Sequence, residues 1–305
     1  MMNRNYVDTN GHSLTKETVQ KIPPDKLQDY TDIPIKILPT HDALYEAIAE
    51  IMIQTIVSKK GEKTTMILPV GPTGQYPVFA KKVKERRIDC RNVYTFNMDE
   101  FLDRTGRTIS EDHPLSFKAE MMKNLFNLIP PELKMPPEQM FFPRHDNMDL
   151  IDRLFDEHAP DGVDLCLAGV GPEGHFAFNE NPDNGHIDIS EEEFLADRTH
   201  LVTVRNSTVD MDALVAGCGD RSAIPPFAVT IGPRDVLLAK RMEVVFFAGK
   251  FQRTALRETL FREPTMAFPG SYLKLRRNKD GSLVPQNITV WATEVEAGPV
   301  TSQTI

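Results

Sequence analysis

A chain of 305 residues with 40% hydrophobic and 26% charged residues has the composition of a soluble globular protein and the length for one large α/β domain with additions, or two modest ones. Its 35 basic and 44 acidic residues leave a net charge of −9, which argues against a nucleic-acid surface yet leaves room for a local anion pocket. Three widely spaced cysteines, Cys90, Cys166 and Cys218, with no C-x-x-C pair, speak against a disulfide framework or structural zinc and fit a reducing cytoplasm. No secretory h-region opens the sequence, and no apolar run approaches the ~18 residues of a membrane span.

Residues 1–33 are polar, with Pro23-Pro24 and no sustained period. They read as an extension that packs on the surface or stays partly loose, ahead of a single α/β domain over 34–305. Ile35 to Leu38, bracketed by prolines, reads as a short strand. Thr40 is then an N-cap for a helix carried by Leu44, Ile48, Ile51, Met52 and Ile56 at helical spacing. Met66-Ile67-Leu68 reads as a buried strand, about 75–87 as its helix, Val93 to Phe96 as a strand and 116–128 as a helix. Helical spacing at Leu150, Leu154 and Phe155 precedes a strand from Val163 to Ala168. Later strands fall at 201–204, 228–231, 244–247 and 288–291, with a helix near 252–261. Strands separated by helices predict a doubly wound, mainly parallel sheet covered on both faces, a Rossmann-like three-layer sandwich. The polar stretch 181–199 is placed where a lid would sit; an ordinary surface insertion reads equally well.

Three strand ends carry the chemistry. The strand at 66–68 runs into Gly71-Pro-Thr73-Gly74, that at 93–96 into Asn97-Met-Asp99-Glu100, and that at 163–168 into Gly169-Val-Gly171-Pro-Glu173-Gly-His175, with Glu180 five residues on. In a parallel sheet these ends share the ligand-binding edge. Backbone N–H groups of the first turn, before a helix, suit a phosphate. Asp99 beside such a cradle suits a general base, although an acidic pair at a strand end also reads as a helix cap. His175 between Glu173 and Glu180 suits a proton relay whose tautomer the carboxylates fix.

Gly169 to Gly174 matches G-x-G-x-x-G, but it lies mid-chain and lacks an acid ending the next strand, so no dinucleotide cofactor is expected. Nor is a metal, since no H-E-x-x-H or comparable dense ligand set is present.

Phe96-Asn-Met-Asp-Glu-Phe101, Gly169-Val-Gly-Pro-Glu-Gly-His-Phe-Ala-Phe-Asn-Glu180 and Leu68-Pro-Val-Gly-Pro-Thr73, followed in order by His113-Pro-Leu-Ser-Phe117 and Pro269-Gly-Ser-Tyr-Leu-Lys-Leu275, resemble motifs of the glucosamine-6-phosphate deaminase/isomerase family over about residues 35–295. The resemblance implies cofactor-free conversion of a phosphorylated aminosugar, glucosamine 6-phosphate above all, to fructose 6-phosphate and ammonia by a homo-oligomeric enzyme. It makes Asp99 the base between C2 and C1, His175 the ring-opening residue, Glu180 its assisting carboxylate, and Gly71 and Thr73, with Gly74 and Gly171 beside them, the substrate-side turns. The sequence departs from the family at Glu173, where aspartate is usual, and at Arg276, where histidine is usual. Arg205, Lys250 and Arg253 are phosphate-anchor candidates by proximity. The alternatives are a 6-phosphogluconolactonase-like hydrolase and a catalytically weak sugar-phosphate sensor.

Overall fold

A computed structural model describes residues 6–181 and 189–301. The opening segment holds β1 (Tyr6–Val7), β2 (Ser13–Leu14) and α1 (Lys16–Lys21), the helix capped by the Thr15 side chain. Its Val19, Ile22 and Leu27 are buried in the same apolar cluster as the central strands, which fastens residues 6–33 to the domain. Then come β3 (Ile35–Leu38), α2 (His41–Ser58), β4 (Thr64–Leu68), α3 (Gln75–Arg86), β5 (Val93–Asn97), β6 (Asp99–Leu102) and α4 (Phe117–Asn124). Thr40 caps α2 through the Ala43 N–H, as its position before the apolar period predicts. The middle of the chain forms β7 (Met140–Phe141), α5 (Met148–His158), β8 (Leu165–Ala168), α6 (Glu191–Ala196), β9 (His200–Thr203), α7 (Asn206–Val215) and β10 (Phe227–Thr230). It closes with α8 (Pro233–Leu237), β11 (Met242–Val245), α9 (Arg253–Phe261), β12 (Leu275–Arg277), β13 (Leu283–Pro285), β14 (Ile288–Thr293) and α10 (Glu294–Ala297).

Seven strands make one sheet in the order β3-β14-β11-β8-β4-β5-β7, and every neighbouring pair is parallel. Side chains alternate faces along a strand. Ile67, Cys166, Ala168 and Val244 thus join one core with Phe155 of α5, Leu237 of α8 and Leu256 of α9. Met66, Leu68, Leu165, Leu167 and Val245 join a second core with Ile48 of α2, Phe79 of α3 and Met121 of α4. Helices therefore cover both faces, the architecture read from the alternation of strands and helices. The first core is closely packed: Phe96 and Phe155 stack with centroids 3.8 Å apart, and truncating a side chain buried this way costs about 3–5 kcal/mol.

Two of the expected strands lie elsewhere. β9 and β10 pair with β6 in a separate antiparallel sheet of order β6-β10-β9. The physical reason shows in β9, whose residues alternate between half-buried and exposed: one wet face suits an antiparallel sheet, whereas a central parallel strand is buried on both sides. From β5 the chain steps between the sheets at Met98, whose N–H donates to the Leu68 carbonyl (3.1 Å) while its own carbonyl accepts from the Ile231 N–H (2.8 Å). Asp99 begins β6 at that corner.

After β4 the chain winds outward to β5 and β7; from β8 it winds the other way to β11 and β14. The reversal lies between β4 and β8, and open α/β sheets bind ligands at such a switch point, beyond the C-terminal strand ends. Of the segment expected as a lid, residues 182–188 lie outside the described residues. The remainder includes α6, which starts in a Ser190–Glu193 capping box and buries Phe194 and Leu195.

Candidate active site

The turns after β4 and β8 meet at the switch point: a Cβ on Gly169 would stand 2.7 Å from the Gly71 carbonyl oxygen, so only glycine allows that approach. The β8 turn closes on itself through Gly171 N–H to the His175 carbonyl (2.9 Å) and Gly174 N–H to the Gly171 carbonyl (3.0 Å). The His175 ring lies directly on Gly171, where any Cβ would overlap it. The late Pro269–Lys274 turn braces this loop, Gly270 N–H donating to the Gly174 carbonyl (2.6 Å). Beyond the turns opens a cavity of about 330 Å3, a volume suited to a monosaccharide derivative. Gly71, Thr73, Gly171, His175 and Asp99 all line it, so the three strand ends converge on one space.

The acidic pair divides its roles. Glu100 accepts from the N–H groups of Phe101 (2.9 Å), Phe117 (3.0 Å) and Lys118 (2.9 Å) and from the Ser116 hydroxyl (3.1 Å), so it holds the start of α4. Asp99 is 8% exposed, and among the described residues its carboxyl has no hydrogen-bond or ion-pair partner. Burial, followed by the charge of Glu100, pushes it up to about 8. A carboxyl kept near neutrality and facing a cavity is suited to taking and returning a proton.

Glu173 and Glu180 stand behind His175 and do not line the cavity. Glu173 Oε1 is 3.5 Å from His175 Nδ1, an ion-pair contact looser than an aligned hydrogen bond, and Nδ1 has no hydrogen-bond partner. Burial alone would raise the Glu173 carboxyl, but its contact with His175 holds it down at about 2. Burial works against the charged His175 ring, yet Glu173, then Glu180 and Asp212, outweigh it and raise the ring above the ordinary histidine value. Glu180 accepts from the Arg205 N–H at the start of α7 (3.0 Å) and from the Thr208 hydroxyl; burial raises its carboxyl. That hydroxyl also lies 3.1 Å from Glu173 Oε1. The oxygens and nitrogen of Glu173, His175 and Glu180 lie within 4.8 Å of one another, a donor set that a metal ion also uses. Here Thr208 sits between the two carboxylates and bridges them, so the cluster reads as the histidine's support.

The remaining sequence candidates separate. Gly74 lies outside the lining and packs against the Tyr45 ring. Arg205 stands at the start of α7 with Nε 3.8 Å from Glu180 and does not line the cavity. Lys250 is exposed, in the turn between the lining residues Ala248 and Phe251. Arg253 is committed elsewhere: Nε donates to the Val295 carbonyl (2.8 Å) and a terminal nitrogen to that of Pro299 (3.0 Å). Arg276 likewise bonds the carbonyls of Asp161 and Leu238, away from the cavity. No lysine or arginine is among the residues lining the cavity.

Sequence reading missed seven lining residues. Thr208, Met211, Asp212 and Val215 line the cavity from one face of α7 at i, i+3, i+4, i+7 spacing. That spacing was the available signal, blurred because the face mixes polar and apolar groups. Gln252, a buried lining residue, accepts from the Phe247 (2.9 Å) and Ala248 (2.7 Å) N–H groups and donates to the Val170 carbonyl (2.9 Å), so it clamps the β11 and β8 turns together. Phe117 and Phe178, with ring planes 4° apart, supply apolar wall.

No family model matches the chain. It is 28% identical over 246 residues to the glucosamine-6-phosphate deaminase of Thermoanaerobacter sp. (strain X514), covering 79% of this chain and 88% of that protein. It is 26% identical over 248 residues to the glucosamine-6-phosphate deaminase of Clostridioides difficile (strain 630), covering 80% and 91%. Among solved structures, a monomeric glucosamine-6-phosphate deaminase superposes with a TM-score of 0.70 at 24% identity, over 87% of this chain and 98% of that one. The 6-phosphogluconolactonase of Thermotoga maritima superposes with a TM-score of 0.58 at 18% identity, over 85% and 98%. The resemblance carried by the motifs is thus a relationship along most of the chain: it is a relative of the glucosamine-6-phosphate deaminases, in a fold those enzymes share with 6-phosphogluconolactonases.

Proposed function

We propose that this chain is an aldose–ketose isomerase and deaminase that converts glucosamine 6-phosphate and water to fructose 6-phosphate and ammonia. The observation that carries the reading is Asp99, a buried, unpartnered carboxyl facing the same cavity as His175. His175, held by Glu173 and indirectly by Glu180 and Thr208, moves the ring proton that opens the pyranose. Only the open chain makes the C2–H acidic. Asp99 takes that proton and returns it to C1, which leaves an imine at C2. Water adds there, and the nitrogen departs as ammonia. Without lysine or arginine in the lining, the phosphoryl group is assigned to the mouth, between the Gly71–Thr73 turn and the exposed Lys250, where N–H dipoles and one cation meet it. Free Cys90, Cys166 and Cys218 accord with a cytoplasmic setting for this chemistry, and no helix among the described residues is long and apolar enough to cross a membrane.

The test is incubation with glucosamine 6-phosphate while ammonia and fructose 6-phosphate are measured together. Equal amounts of both support the reading. Hydrolysis of 6-phosphogluconolactone without ammonia release from the aminosugar moves the assignment to the hydrolase, and saturable binding without turnover moves it to the sensor.

A further inference from the structure

Every acidic group around the cavity but two is engaged. Glu173 is tied to His175 and Thr208, Glu180 to Thr208 and the start of α7, and Glu100 to the start of α4. Asp99 and Asp212 remain. Both line the cavity, and among the described residues neither carboxyl has a hydrogen-bond or ion-pair partner. Asp99 is more than nine-tenths buried, so its unpartnered carboxyl marks this cavity as built for a ligand. Asp212 projects from the α7 face that also carries Thr208, one turn earlier.

With no lysine or arginine in the lining, the inner cavity favours a cation over an anion. An aminosugar brings one, since its C2 amine is protonated near neutral pH. Burial, followed by the charges of Glu173 and Glu180 against that of His175, pushes the Asp212 carboxyl up to about 6, so it is largely ionised at pH 7. Asp99, higher still at about 8, is mostly protonated at that pH. The two acids are therefore separated in charge while sharing one space.

We infer that Asp212 is the residue that selects aminosugars over the corresponding hydroxy sugars, by receiving the substrate's C2 ammonium in the cavity that it shares with the base. This rests on the deaminase reading for the substrate class, but it concerns binding and does not require turnover. The ammonium replaces the counter-ion that the protein itself leaves out, and a sugar with a hydroxyl at C2 offers Asp212 only a neutral donor.

The test is calorimetric binding of 2-amino-2-deoxyglucitol 6-phosphate and glucitol 6-phosphate, two open-chain alcohols that differ at C2 and cannot react. Wild type at pH 7.5 is expected to prefer the amine about tenfold or more. Asp212→Asn, close to isosteric, and Asp212→Ser are both expected to lose that preference while their affinity for glucitol 6-phosphate stays within about twofold of wild type. A structural role would weaken both ligands alike. Equal affinities in the wild type, or an amine preference that survives both substitutions, overturns the assignment. If ammonia release fails while the amine preference appears and depends on Asp212, the binding inference stands and the catalytic reading falls.

Discussion

Replacing Asp99 with asparagine is expected to remove activity and stabilise the fold at once, with a pH signature that follows from the carboxyl's surroundings. An aspartyl carboxyl ordinarily titrates at 3.8; in the folded protein burial and Glu100 lift Asp99 to about 8. Between those values the native state holds a proton that the unfolded state has lost, so wild-type stability falls as pH rises through this window. The stabilising contribution is fully present below pH ~4 and gone above ~8. At ~1.4 kcal/mol per unit, the raised pKa of Asp99 costs about 4 kcal/mol of stability at pH 7 and about 6 kcal/mol above pH 8, relative to acid pH. Asparagine keeps the neutral shape and does not titrate. Urea unfolding of both proteins at pH 5, 6, 7 and 8, with matching m values, reads the difference directly. The variant's advantage should grow with pH and level off near 8, while turnover drops about 10^2- to 10^4-fold, the worth of a positioned general base. A stability difference that is flat across this range, or a variant less stable than wild type at pH 8, refutes the claim that burial holds this carboxyl protonated.

Four further outcomes follow from the site's geometry. Glu173→Gln takes away the negative charge nearest His175, so the ring's pKa should fall, as an imidazole NMR titration would read; an unchanged value removes Glu173 from the histidine's support. Gly171→Ala forces a Cβ into the His175 ring, and a displacement of about 1 Å should cost roughly 10^2 in kcat/KM with circular dichroism unchanged. Lys250→Ala is expected to raise KM for glucosamine 6-phosphate about three- to tenfold at low salt, to leave kcat near wild type and to weaken the salt dependence; an unaltered KM moves the phosphoryl group away from this turn. Arg253→Met should lower stability by roughly 2 kcal/mol, because its charged bonds to the Val295 and Pro299 carbonyls are lost, with KM untouched.

Much of this fold was legible because buried parallel strands are short apolar runs between helical periods. The strands near 35–38, 66–68, 93–96, 163–168, 244–247 and 288–291 all lie in the central sheet. β7 escaped because two residues cannot display a period. The stretches at 201–204 and 228–231 were recognisable as strands, but their sheet was not, since pairing partners are decided in three dimensions by where Met98 turns the chain. The convergence of Asp99, His175 and the Gly71 turn was also readable, because strand ends of a parallel sheet share an edge. Cationic anchors were not. Successive residues at a helix start differ in direction by about 100°, so Gln252 faces the cavity while Arg253 reaches the C-terminal carbonyls. Asp212 and Thr208 were hidden because a helix face that lines a polar cavity lacks the apolar stripe by which helices are recognised.

The role proposed for Asp99 is to move the C2 proton of an aminosugar inside this cavity. It is tested most directly with glucosamine 6-phosphate deuterated at C2, supplied to wild type and to Asp99→Asn while ammonia, fructose 6-phosphate and the fate of the label are followed. The expected outcome is one ammonia per ketose, a slower reaction of the deuterated sugar, the label at C1 of the product or in water, and near-complete loss of all three signals in the variant. Ammonia release from Asp99→Asn at the wild-type rate, or wild-type turnover that leaves ammonia and ketose unequal, contradicts it.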